Sequence, residues 1–302
     1  MNWTGVYPAV TTKFTKDDEL DINAFRLNIA AQVAAGVSGV ILGGTLGEAS
    51  SLTNDEKLIL LDNAIAEVSG QAAVIVNIAE QTTRSAVDLA KSLELRGASG
   101  LMLLPPMRYA ADSRETLVYF KEVANATSLP IMIYNNPIDY KIPVTIDMFE
   151  ELVKLPNIEA VKESSRDITY LTRLRIAFGG RLQILSGVDN LALESLMMGA
   201  DGWVAGLVCA FPAETVAIFK LVKAGRHQEA LDIYKWFIPV LELDVHPKLV
   251  QYIKLAESMT GLGTEHVRAP RLALEGQERE RVTDIIAAAI ESRPNLPDYL
   301  SL

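Results

Sequence analysis

The chain has 302 residues, 49% of them hydrophobic and 22% charged, with a formal net charge of −10. That is the composition of an ordinary globular protein with a large core, built as one (β/α)8 barrel with additions or as two smaller domains. The acidic balance opposes nucleic-acid binding, which needs a basic footprint, and the one cysteine, Cys209, excludes an internal disulfide and suits a reducing compartment.

The opening stretch MNWTGVYPAVTTKF lacks a basic segment ahead of an apolar run, so no secretory signal is expected. No stretch of about 20 residues is continuously apolar, so no membrane span is expected; with one cysteine and a reducing compartment, a cytoplasmic location is expected. Short apolar runs predict strands at GVYPAV (5–10), GVILGG (39–44), AVIVNI (73–78), GLMLL (100–104), PIMIY (130–134), IEAVK (158–162), LQILSG (182–187) and GWVAG (202–206). Runs that are β-rich and apolar throughout belong to parallel sheets covered on both faces.

Helical patterns separate these runs. Thr53 to Glu56 reads as a capping box, and Asp112 to Glu115 reads likewise with Asp as the cap. Gly36, Gly97 and Gly199 follow helical segments as C-caps. Eight strand–helix units predict a (β/α)8 TIM barrel over residues 1–210. No Gly-rich dinucleotide fingerprint follows the first strand to favour a doubly wound sheet. Residues 211–302 carry helical patterns without strand signals and predict a C-terminal helical extension packed on the barrel, with Pro239 breaking or kinking its middle helix. The apolar faces of these helices also predict a homo-oligomer.

Barrel chemistry belongs to the carboxyl ends of the strands, which here read GGTLGEAS, YNNP, KESS and SGVD. Lys162 ends an apolar run. Desolvation there favours the neutral amine, as imine chemistry requires, while an ion pair with Glu163 or another carboxylate would be structural. Lys13, after the first strand, is the second candidate nucleophile. Tyr134 ends the fifth run and is either a proton relay or core packing. Gly43, Gly44 and Gly47 around Thr45 make either an anion-holding loop or a tight turn. Cys209, in GLVCAFP, reads as a core thiol. The three histidines, His227, His246 and His266, are far apart, so no metal site is expected.

Together GGTLGE, IYNNP, VKESS and SGVD resemble the dihydrodipicolinate synthase/N-acetylneuraminate lyase family over essentially the whole chain. The resemblance implies a class I Schiff-base enzyme with a (β/α)8 barrel, commonly tetrameric, with no cofactor beyond a covalent imine. It implies that Lys162 forms the imine, Tyr134 relays protons and Thr45 completes the catalytic group. Gly44, Leu46 and Gly47 would hold the carboxylate of a 2-oxo acid, with Asp139, Ser164 and Gly187 also binding substrate. Two departures bear on the substrate: the second threonine of the loop is Leu46, and the arginine two residues after the proline of YNxP is Asp139. In LPPMRYAAD, Arg108 stands near where the synthase has a tyrosine reaching a neighbouring subunit, and Arg108 or Tyr109 would take that place.

These departures argue against lysine biosynthesis. YNNP, GVDNLALESLMMGADGWVAGLVCAFP and VRAPRL look most like the branch of 1-pyrroline-4-hydroxy-2-carboxylate deaminases, which give 2-oxoglutarate semialdehyde and ammonia in hydroxyproline degradation. The expected partners are a small 2-oxo or cyclic imino acid and further copies of the chain. Alternatives are a 2-keto-3-deoxy sugar acid aldolase or dehydratase, 4-hydroxy-2-oxoglutarate aldolase, the synthase itself, and a non-catalytic sensor.

Overall fold

Apolar runs without alternation form strands wherever both faces can be covered. In a computed structural model, described for residues 1–106 and 109–302, every predicted run contains a strand. These are β1 (Gly5–Pro8), β2 (Gly39–Leu42), β3 (Ala73–Ile78), β4 (Gly100–Leu103), β5 (Ile131–Asn135), β6 (Ile158–Glu163), β7 (Gln183–Ser186) and β8 (Gly202–Ala205). All pairings are parallel, in the order β1-β8-β7-β6-β5-β4-β3-β2. The ring closes where Ala9 bridges Ile41 and the Val10 N–H donates to the Ile41 carbonyl at 2.9 Å. The fold is a TIM barrel with C-terminal helices.

The helices between the strands are α1 (Ile22–Ala34), α2 (Asn54–Val68), α3 (Thr83–Leu95), α4 (Ser113–Asn125), α5 (Pro137–Tyr140), α6 (Ile146–Leu152), α7 (Ile168–Phe178) and α8 (Ala192–Met197). Both predicted capping boxes are present, Thr53 with Glu56 and Asp112 with Glu115. The glycines expected to end helices take the left-handed backbone a C-cap needs, with φ of +87° at Gly36, +86° at Gly97 and +95° at Gly199.

Four helices follow: α9 (Pro212–Lys223), which packs against β1 and β8, then α10 (His227–Leu241), α11 (Leu249–Met259) and α12 (Gly276–Glu291). Pro239 lies inside α10, which ends at Leu241 and passes into a short 3-10 turn, Glu242–Val245. Within the helical extension, α12 is the least marked helix in the sequence, because its first turns (GQERER) are polar and its buried face is a thin stripe of Val282, Ile286 and Ala289. Cys209 is a fully buried thiol whose pKa is raised by burial, as a core cysteine should be. Among the described residues no helix is long and apolar enough to cross a membrane.

Candidate active site

The register of β5 on β6 sets the site. Ile131 stands opposite Ile158, but Met132 stands opposite Ala160, so Glu159 is an extra residue in β6. This shift brings Lys162, rather than Val161, opposite Tyr134. Side chains alternate along a strand, so paired residues share a face. Tyr134 and Lys162 share one face, and the Lys162 Nζ lies 4.1 Å from the centroid of the Tyr134 ring. Asn135 and Glu163 share the other, joined by an Asn135 Nδ2–Glu163 Oε2 hydrogen bond of 2.7 Å.

The Glu163 carboxylate is therefore not the partner of Lys162. Among the described residues, the Lys162 Nζ makes no hydrogen bond and no ion pair. Lys162 is 8% exposed, and burial lowers its pKa, against the pull of Tyr140, Asp244, Asp189 and Asp139. A Cβ on Gly187 would lie 2.7 Å from the Lys162 Cγ and 2.8 Å from its Cε, so glycine makes room for the lysine stem. The Ser164 hydroxyl donates to the Gly187 carbonyl at 3.0 Å and ties the loops after β6 and β7 together.

Tyr134 is 6% exposed, and burial pushes its pKa up to about 12. Its hydroxyl accepts from Asn136 Nδ2 at 3.1 Å. Tyr140, at the end of α5, meets Tyr134 edge-on at 5.5 Å and shares a 2.6 Å hydrogen bond with Thr45. Tyr140 thus links the loop after β2 to that after β5. Only the fold makes this contact visible, since nothing in the sequence marks Tyr140.

The loop from Gly43 to Gly47 turns at Gly43, with φ of +63°. Gly44, Thr45 and Leu46 line a cavity of about 430 Å³ with Tyr134, Lys162 and Ser164. The amide N–H groups of Thr45 and Leu46 have no acceptor among the described residues and are free to hold an anion. Gly47, expected to bind substrate, instead backs the loop. A Cβ there would stand 2.9 Å from the Gly43 nitrogen, and its carbonyl accepts from the Thr12 hydroxyl at 2.7 Å. Glu48, next in the chain, is buried with φ of +54° and is paired with Lys254 of α11.

Three acids surround this floor. Asp189 is fully buried and accepts from the Leu207 amide at 2.7 Å, the Trp203 indole at 2.9 Å and the Gly206 amide at 3.1 Å. Asp244, from the 3-10 turn after α10, is half-buried and borders the cavity. Asp139 lies exposed at the mouth, its carboxylate accepting from Asn136 Nδ2 at 2.7 Å. Arg166 and His246 also reach the lining. Asp189 stood in the sequence only as the last residue of SGVD, with no role of its own, and Asp244 and Arg166 were not marked; Asp244 comes from a segment whose helical pattern hides its inward aim.

Lys13, the second candidate nucleophile, is corrected by the structure. Its Nζ pairs with Glu257 at 2.7 Å with both side chains fully buried, and it does not line the cavity. Paired with a buried carboxylate and outside the cavity, Lys13 is out of reach of a substrate bound there. Arg108 lies outside the described residues, and Tyr109 is exposed and away from the cavity of its own chain. Among the described residues no group of three or more His, Cys, Asp or Glu side chains is placed to hold a metal.

Residues 2–289 match the dihydrodipicolinate synthetase family. The chain is 33% identical over 276 residues to the 4-hydroxy-tetrahydrodipicolinate synthase of Exiguobacterium sibiricum, covering 90% of this chain and 92% of that one. It is 30% identical to the synthase of Moorella thermoacetica, covering 96% and 98% of the two chains. The structure of the synthase from Methylacidiphilum fumariolicum SolV superposes with a TM-score of 0.91 at 26% identity, covering 95% and 96%.

Proposed function

The chain belongs to the dihydrodipicolinate synthetase family, and on that premise we propose that it is the Schiff-base deaminase that converts 1-pyrroline-4-hydroxy-2-carboxylate to 2-oxoglutarate semialdehyde and ammonia. The family is one of lysine Schiff-base lyases that need no added cofactor, so the chain is an enzyme. The observation that carries the finer reading is the charge layout of the cavity. One anion-holding loop, at Thr45 and Leu46, faces two carboxyl side chains, Asp139 and Asp244. Such a site accepts a substrate with one carboxylate and with hydroxyl or amine groups at the far end, and the Asp139 carboxylate at its mouth disfavours a second carboxylate.

In this reading the neutral Lys162 amine attacks C2 of the cyclic imine. The C2–N bond of the ring breaks, and the ring nitrogen leaves as the C5 amine, protonated by the Tyr134 phenol. Burial keeps that phenol protonated in the resting enzyme. The lysine iminium formed beside it stabilises the phenolate, which then takes a C3 proton. The resulting enamine expels the C4 hydroxyl as water. Transfer of a proton from C5 leads to a C5 imine, which is hydrolysed to release ammonia, and hydrolysis of the lysine imine frees the product.

Removal of the Tyr140 hydroxyl (Tyr140→Phe) should cut kcat about tenfold to a hundredfold, because Thr45 loses the partner that holds it over the cavity. KM should change little and the Lys162 adduct should still form. An unchanged kcat would make Tyr140 a packing residue.

A second reading has its own support. Among the described residues Arg166 is the one guanidinium that lines the cavity, and the relatives above are synthases. Condensation of pyruvate with aspartate semialdehyde would use such a cation. The two assays run side by side decide between the readings. Ammonia release from the imino acid should exceed condensation by about 10³-fold or more in kcat/KM, as expected when buried polar groups are mismatched. A greater condensation rate overturns the deaminase reading. The division at residue 210, a cytoplasmic location and a homotetramer belong to the same proposal; family members are usually tetramers, and sedimentation reads the assembly directly.

A further inference from the structure

Most buried carboxyl groups of this chain are engaged by the fold. Glu257 is paired with Lys13, Glu48 with Lys254 and Glu214 with Arg293. Asp189 takes three N–H donors, and Glu163 takes Asn135 and the Ser165 amide. Asp244 differs. Among the described residues its sole hydrogen bond is a long one, 3.4 Å from the Asp189 amide, and it has no ion pair. Its carboxyl is turned to the cavity that holds Lys162.

Its position also fits the length of a five-carbon acid. A Cβ on Gly206 would lie 2.7 Å from Asp244 Oδ1 and 3.0 Å from Leu46 Cδ1, so these two atoms are within about 6 Å of each other. A carboxylate held at the Thr45–Leu46 amides leaves C4 about 4 Å from C1 at ordinary bond lengths. That reach is of the same order as the span between Leu46 and Asp244. Tyr134, on β5, lies to one side of Lys162, whereas Asp244 lies over the loops after β7 and β8 on the other.

We propose that Asp244 is the catalytic acid that protonates the departing C4 hydroxyl. The proposal rests on the deaminase reading and adds a residue to it. In this step the lone pair of the Lys162 enamine nitrogen moves into the N–C2 bond, and the C2=C3 pair moves to C3=C4. The C4–O bond breaks, and the Asp244 proton goes to the leaving oxygen, giving water. The Asp244 carboxylate that remains is placed to accept the C5 proton removed in the following tautomerisation, which restores the acid. The groups facing Asp244 are Asp189 from the loop after β7, Lys162 from β6, Arg166 from the loop after β6 and Tyr134 from β5, with His246 on its own segment. Burial and Asp189 push its pKa up to about 8, with Lys162 opposing, so the proton is present at neutral pH.

The test is Asp244→Asn in the full-length enzyme. Ammonia release should fall about a hundredfold or more, while borohydride with pyruvate, which has no C4 hydroxyl, should still trap an adduct on Lys162. Borohydride with the imino acid should trap a ring-opened adduct that keeps its hydroxyl. In the wild type, kcat should fall as pH rises past about 8, where the acid form is lost, and the residual rate of the variant should lack that limb. Asp244→Glu, which retains a carboxyl, should recover part of the rate. Wild-type ammonia release by Asp244→Asn, or a dehydrated adduct trapped on it, overturns the role of Asp244 alone. Absence of ammonia from the wild-type enzyme, with the pyruvate adduct still formed, overturns the deaminase reading and this proposal with it.

Discussion

Replacing Lys162 with alanine should lower kcat/KM by ~10⁴-fold or more and abolish the adduct that borohydride traps with substrate. Among the described residues the amine is the one group in the cavity able to form the imine, since Lys13 lies outside the cavity, paired with Glu257, and a guanidinium does not form one. The variant should fold, because Lys162 makes no hydrogen bond or ion pair among the described residues and its removal relieves a desolvation cost. Lys162→Arg should be equally inactive, since a guanidinium has no free lone pair at neutral pH. Peptide mapping by mass spectrometry gives the check. An adduct that persists in Lys162→Ala, or that maps to another lysine in the wild type, would remove Lys162 from the mechanism.

The second large effect concerns stability. Glu257 of α11 reaches the segment after β1, where it pairs with Lys13 at 2.7 Å and accepts from the Thr11 hydroxyl at 2.9 and 2.7 Å on its two oxygens. Burial raises the pKa of Glu257, and the ammonium beside it lowers it again. Glu257→Gln keeps the shape but leaves a buried ammonium unpaired, which costs about 3–5 kcal/mol. For a chain of this size that is a fall in Tm of roughly 5–8 °C. The double substitution Lys13→Met with Glu257→Leu should recover most of the loss, because a buried pair contributes little over well-packed apolar side chains. Calorimetry of the two variants tests this. Equal destabilisation in both would show that the packing of α11, not the charge pair, carries the effect.

The strands, the caps and the two central residues of the site were legible in the sequence because their signals are local. An apolar run covered on both faces has to be a strand of a parallel sheet, and Thr53–Glu56 is a capping box wherever it occurs. Lys162 and Tyr134 stood out because each ends such a run, where a polar group needs a reason. Tertiary structure alone decided their partnership. The extra residue Glu159 shifts β6 by one position, and a shift of one position decides which side chains face each other. Long-range packing also separated Lys13 from Lys162, two lysines near strand ends with opposite fates: the first meets a carboxylate from α11, the second meets the face of an aromatic ring. Tyr140 meets Thr45, and Asp244 meets the cavity, only after distant segments have folded over one barrel mouth. Periodicity and caps describe a chain's neighbours in sequence, whereas a charge in a low-dielectric cavity is governed by its neighbours in space.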